Sequence, residues 1–172
     1  MKNLTAGFAL LRLKEYLQAY DYFCQKALEH KTDPKVLDTC LYGQARALNG
    51  LGDVEFAKAI LFVIINGGSK WEQPFIMLAR IYEKEGKIFQ AQENHDQALV
   101  MFQKAHNVFL LACEQVGHTA TLYDNFNYFK DHFFPQANVF TPAFDDAKSL
   151  ALLPSFLREQ VAPTCLQRRT IA

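Results

Sequence analysis

The chain has 172 residues, half of them apolar, and its 18 lysines and arginines balance 18 aspartates and glutamates. That length suits one domain or one compact array. The apolar half excludes disorder from end to end, and the balanced charge argues against a nucleic-acid binder, which carries a basic excess.

The N-terminus runs into a helical pattern without the apolar block and cleavage site of a secretory signal. The longest apolar run, Ala59 to Ile65, is too short to cross a bilayer. The expected location is cytoplasmic, although a secreted effector would carry the same signals. Phe8, Leu10, Leu11 and Leu13 leave little room for the polar outer face of a terminal repeat. This favours a homodimer, a partner at that end, or a place within a longer array.

Asp33-Pro34 reads as an N-cap followed by proline at the first helical position. Gly50-Leu51-Gly52-Asp53 reads as a tight turn between helices. Asn66-Gly67-Gly68 and Gly86 read as helix stops, because glycine accepts the left-handed conformation of a C-cap. Ser69-Lys70-Trp71-Glu72 has the form of a capping box and predicts a helix start at that point. From Lys87 to Val116 no strong breaker intervenes, which favours one long helix ended by Gly117 over two helices with a break near Asn94. A further helix is expected over Thr119 to Asp131, with Tyr123, Phe126, Phe129 and Phe133 on one face and Pro135 closing it. Thr141-Pro142 starts a short helix to about Leu153. Strand signals are nearly absent.

Self-comparison reveals repeats. At an offset of 34, Leu41 meets Phe75, Ala45 meets Ala79, Arg46 meets Arg80, Gly52 meets Gly86 and Ala57 meets Ala91. At an offset of 38, Gly7 meets Ala45, Leu10 meets Leu48, Lys14 meets Gly52 and Ala19 meets Ala57. The difference is about one helical turn and is expected to lengthen the end of the second helix, near Glu29 to Thr32. Small residues at Gly7, Ala45 and Ala79, and at Ala19, Ala57 and Ala91, would let helix backbones approach.

This alternation of bulky, small and turn positions over residues 1–105 resembles the tetratricopeptide (TPR) repeat family. The resemblance implies an all-α, TPR-like helical repeat array (α-solenoid) with additional C-terminal helices. Its units would cover about 1–33, 34–68 and 69–118. Aromatic helices over 119–156 would cap the array, and 157–172 would be a flexible tail.

Members of that family bind protein segments on a concave face lined by the first helix of each unit. The resemblance therefore implies a partner-binding site of Phe8, Leu11 and Arg12, then Tyr42, Arg46 and Asn49, then Ile76, Arg80, Glu83 and Lys84. Arg46 and Arg80 would hold equivalent places and form a ladder for a partner segment with acidic and apolar residues. The clamp that holds chaperone C-termini in some members would fall on Leu4, Phe8, Gly43, Gln73 and Met77, none of which fits it. The expected role is an adaptor or scaffold. Secretion chaperones with three such repeats resemble the chain in length and repeat number.

Signals for chemistry are weak. Cys24, Cys40, Cys113 and Cys165 form no C-x-x-C pair, and the histidines match no zinc motif, so no metal and no cofactor is expected. Asn66-Gly67-Gly68-Ser69-Lys70 lacks phosphate-loop spacing. The contrasting reading is an enzyme with a site around Cys113, His118, Asp131 and His132, but Cys113 sits in an apolar run that suits a buried thiol.

Overall fold

The computed structural model describes residues 4–133. Among these the chain forms seven α-helices and no strand: α1 (Thr5–Arg12), α2 (Tyr16–Glu29), α3 (Pro34–Leu51), α4 (Val54–Asn66), α5 (Gln73–Ala91), α6 (His95–Gln115) and α7 (Ala120–Phe133). The expected helix from Thr141, the closing Pro135 and the tail from 157 lie outside the described residues. The chain divides into two compact units between Leu78 and Ala79, within α5. No helix among the described residues is long and apolar enough to cross a membrane.

In the first unit, helices adjacent in sequence pack on one another, α1 on α2, α2 on α3 and α3 on α4. The cap signals are realised where the backbone needed them. Asp33 is extended, and its carboxylate accepts the N–H groups of Lys35 and Val36, which would otherwise lack partners at the start of α3. The core gathers Leu4, Leu11, Ala19, Phe23, Cys40 and Ala47. Phe23 is its centre and is wholly buried. A Cβ added at Gly7 of α1 would stand 2.6 Å from its ring, and one at Gly43 of α3 would stand 2.5 Å from it. The ring thus lies between two bare stretches of helix backbone.

The second unit uses the same device. A Cβ at Gly86 would meet the Phe102 ring at 2.5 Å, so α6 lies on α5 at a glycine. The aromatic residues of α7 then cover α6. Phe109 packs between Phe126 and Phe129, and Phe102 stacks on Phe133 at 4.3 Å. Tyr123, expected on that face, is instead 59% exposed.

Four expectations are corrected by the structure. The long helix from Lys87 to Val116 is two helices, broken at Gln92-Glu93-Asn94. Asn94 caps α6 by accepting the N–H of Gln97, and Glu93 adopts φ 59°. Gly86 is therefore no stop; it lies inside α5 because Phe102 occupies the space a side chain would need. The capping box at Ser69 does not start a helix. Pro74 has no N–H and tolerates only the first turn, so α5 begins at Gln73, just before it. The extra residues near Glu29 to Thr32 lengthen no helix, since α2 ends at Glu29 and a turn follows.

These corrections reset the repeat. The turns at Lys14-Glu15, Gly52-Asp53 and Glu93-Asn94 are the same structure. In each, a left-handed residue is followed by an N–H that reaches back five residues: Glu15 to Leu10, Asp53 to Leu48 and Asn94 to Phe89, at 3.0, 2.9 and 2.9 Å. The hairpins are thus offset by 38 and then 41 residues, not 34. In this register Gly7, Ala45 and Gly86 correspond, as do Ala19, Ala57 and Ala98, and Phe23, Leu61 and Phe102. All nine are buried. Glycine goes with phenylalanine, and alanine with leucine, so total volume is kept.

Only Gly52 meets the left-handed turn with a residue suited to it. Lys14 and Glu93 hold φ 63° and 59° with a Cβ, which costs about 1–2 kcal/mol each. Glycine there adds some unfolded-state entropy. The expected net result is that Lys14→Gly and Glu93→Gly each stabilise by about 0.5–1 kcal/mol. Urea unfolding midpoints check this; a lower midpoint for both would show that the turns are not strained.

Candidate functional site

The ten residues assigned to a partner-binding face divide between the two units. In the first unit, Leu11 and Ile76 are 6% and 4% exposed, so their side chains belong to packed interior. Arg12 and Arg46 are exposed, whereas Phe8, Tyr42 and Asn49 are half-buried.

Phe8, Tyr42 and Arg46 are brought together. One turn of α3 separates Tyr42 from Arg46, and α1 places Phe8 beside them. The Arg46 guanidinium lies 5.9 Å from the Phe8 ring centre and 6.0 Å from that of Tyr42. Trp71, in the segment between α4 and α5, meets Tyr42 edge-on at 4.7 Å. Among the described residues no carboxylate pairs with Arg46. The rings therefore orient its planar charge without cancelling it. The sequence reading missed Trp71, taking it only as part of a capping box. Its being the chain's one tryptophan was the available signal.

In the second unit Arg80, Glu83 and Lys84 do share a site. They line a cleft of about 600 Å³ together with Lys87, Phe109 of α6, and Asp124, Asn125 and Tyr128 of α7. Arg80 Nη2 donates to Asn125 Oδ1 at 2.8 Å, and Asn125 Nδ2 donates to the Thr121 carbonyl at 2.8 Å. Lys87 pairs with Glu83 at 2.5 Å. The contributions of α7 could not be seen in the sequence, because nothing local announces that Asn125 faces Arg80, 45 residues away.

The equivalence of Arg46 and Arg80 is corrected by the turn register. Arg46 stands seven residues before Asp53, the N-cap of α4; the residue seven before Asn94, the N-cap of α6, is Lys87. Arg80 lies about two helical turns earlier.

The residues of the contrasting enzyme reading are spread over α6, α7 and the segment between them. Cys113 is half-buried, and burial first, then the charge of Glu114, pushes its thiol above the usual range. A nucleophilic thiol needs the opposite shift. His118 and Asp131 are exposed. His132 is exposed with Nδ1 2.9 Å from the Tyr128 carbonyl. Cys40 is buried and Cys24 half-buried; Cys165 lies outside the described residues. Among the described residues no three His, Cys, Asp or Glu side chains cluster in a way that could hold a metal ion. His106 differs from the other histidines. It is buried, and that burial lowers its pKa to about 4, with the neighbouring Asn107 side chain acting in the opposite direction.

No family model, curated protein sequence or solved structure matches the chain.

Proposed function

We propose that the chain is a protein-interaction module, an adaptor or scaffold that holds a partner segment bearing carboxylates beside apolar residues. The observation that carries this reading is Arg46, exposed between the rings of Phe8 and Tyr42 and paired with no carboxylate among the described residues, with Trp71 beside them. Arginine, tyrosine and tryptophan are the residues in which interface energy concentrates. A guanidinium fixed on aromatic faces offers its edge for a bidentate bond to a carboxylate, and the rings offer apolar contact. The repeated hairpins, with a small residue in one helix matched to a bulky residue in the next, support the tetratricopeptide-like form of the module.

Affinity capture from cell extract with the wild type beside Arg46→Glu and Arg46→Lys tests the reading. The charge reversal is expected to weaken the specific partner by about 30-fold, the scale of a hot-spot arginine. Lysine should restore only part, because it lacks the planar fork. Retention of the same partners at the same strength by Arg46→Glu would overturn the assignment.

A further inference from the structure

The second unit's cleft combines charge and orientation in an unusual way. Among the described residues, Arg80 is held by an amide and not by a carboxylate. The amide is itself fixed, because Asn125 Nδ2 is committed to the Thr121 carbonyl one turn earlier in α7. One N–H of the guanidinium is therefore used for orientation, and the whole positive charge remains. Lys87 is neutralised by Glu83. Among the described residues of the cleft, that leaves Arg80 and Lys84 facing the carboxylate of Asp124, an excess that suits an anionic ligand. Beside them stands Tyr128, 54% exposed at the edge of a charged cleft, its ring flanked by that of His132 at 4.1 Å.

We propose that this cleft binds a peptide segment in which an aspartate or glutamate adjoins an aromatic residue, with Arg80 reading the carboxylate. Asn125 is the positioning residue for Arg80, and Tyr128 is the seat for the ring. A contact that served folding alone would be stronger with aspartate at position 125, since a charged pair exceeds an arginine–amide bond. Asparagine keeps the guanidinium in place and leaves its charge for a ligand. The choice of a peptide rests on the reading of the chain as an interaction module; the site and the chemistry are separate from the Arg46 cluster.

The test starts from random heptapeptides displayed on phage and selected on the full chain. Recovered sequences are synthesised with a fluorescein label, and their affinities are measured by anisotropy against wild type, Asn125→Asp, Arg80→Ala and Arg46→Ala, with thermal melts alongside. The expected result is enrichment of Asp or Glu next to Phe, Tyr or Trp. Asn125→Asp should weaken these peptides about tenfold or more, as a hydrogen bond to a charged group would, while its melting temperature is unchanged or raised. Arg80→Ala should weaken them at least as much. A purely structural asparagine would give no binding loss in a variant that stays as stable.

Peptides lost on Arg46→Ala but bound normally by Asn125→Asp and Arg80→Ala would overturn this site and leave the interaction-module reading standing. Recovery of no peptide, or of peptides indifferent to all three variants, would overturn both. A concentration-dependent dimer of the wild type that Asn125→Asp abolishes would make a second copy of the chain the occupant, and would overturn the partner assigned here.

Discussion

Phe23→Ala is expected to destabilise the first unit by about 3–5 kcal/mol, a large part of the stability of a small domain. The ring is wholly buried, and it fills space that Gly7 and Gly43 leave on two different helices. Truncation would open a cavity that glycine backbones cannot collapse into without moving α1 and α3. Trp71 is the chain's one tryptophan and lies in this unit, so its fluorescence during urea unfolding reports the loss where it occurs. A cost below about 1 kcal/mol would mean that Phe23 is not the keystone of the packing.

Gly43→Ala makes the same point from the other side. Alanine is the better helix former by about 1 kcal/mol. At 2.5 Å from the Phe23 ring, however, its methyl group must push aromatic carbon, and overpacking costs about 1–3 kcal/mol. The net expectation is destabilisation. Gly7→Ala should likewise be harmful alone and less harmful together with Phe23→Leu, which rebuilds the alanine–leucine combination of Ala45 and Leu61. Non-additivity of about 0.5–3 kcal/mol in that cycle would be the signature of direct contact.

The second large effect is on pH. His106 is buried in α6, with the Phe126 ring 5.6 Å away. Its folded pKa is lowered from 6.5 to about 4 because burial penalises the charged ring. Between those values the unfolded chain binds a proton that the folded protein does not. Stability therefore falls as pH drops from about 6.5 towards 4, and below that both states are protonated and the loss is complete. The full loss is about 3 kcal/mol. His106→Leu removes the titrating group, so its stability should vary less over this range than the wild type's. Hydrogen exchange of α6 and α7 amides at pH 7 and pH 5 measures the difference in the unit concerned. Equal pH dependence in both proteins would rule out a buried neutral histidine.

Much of this fold was legible in local chemistry. Asp33-Pro34, Gly52, Asn66-Gly67-Gly68 and Gly117 mark helix ends where they were expected, because capping and left-handed turns are decided within a few residues. The offset of 38 between the first two hairpins was correct for the same reason, since Lys14 and Gly52 occupy equivalent turns. The candidate sites were legible in part. Tyr42 and Arg46 are spaced by one turn of helix, so their proximity follows from the sequence. Trp71 against Tyr42 and Asn125 against Arg80 come from separate elements, and no local pattern records such meetings.

The sequence by itself therefore determined the helical class, the first repeat interval, and an exposed cationic and aromatic character at Arg46. Tertiary structure decided the register of the third hairpin and the membership of the second unit's cleft. The reason is that glycine serves two physical ends. It relieves a left-handed turn at Gly52, and it admits a neighbouring ring at Gly7, Gly43 and Gly86. The two uses share one letter. Only the position of Phe102, 16 residues further along the chain, shows that Gly86 is a packing surface and not the end of a helix.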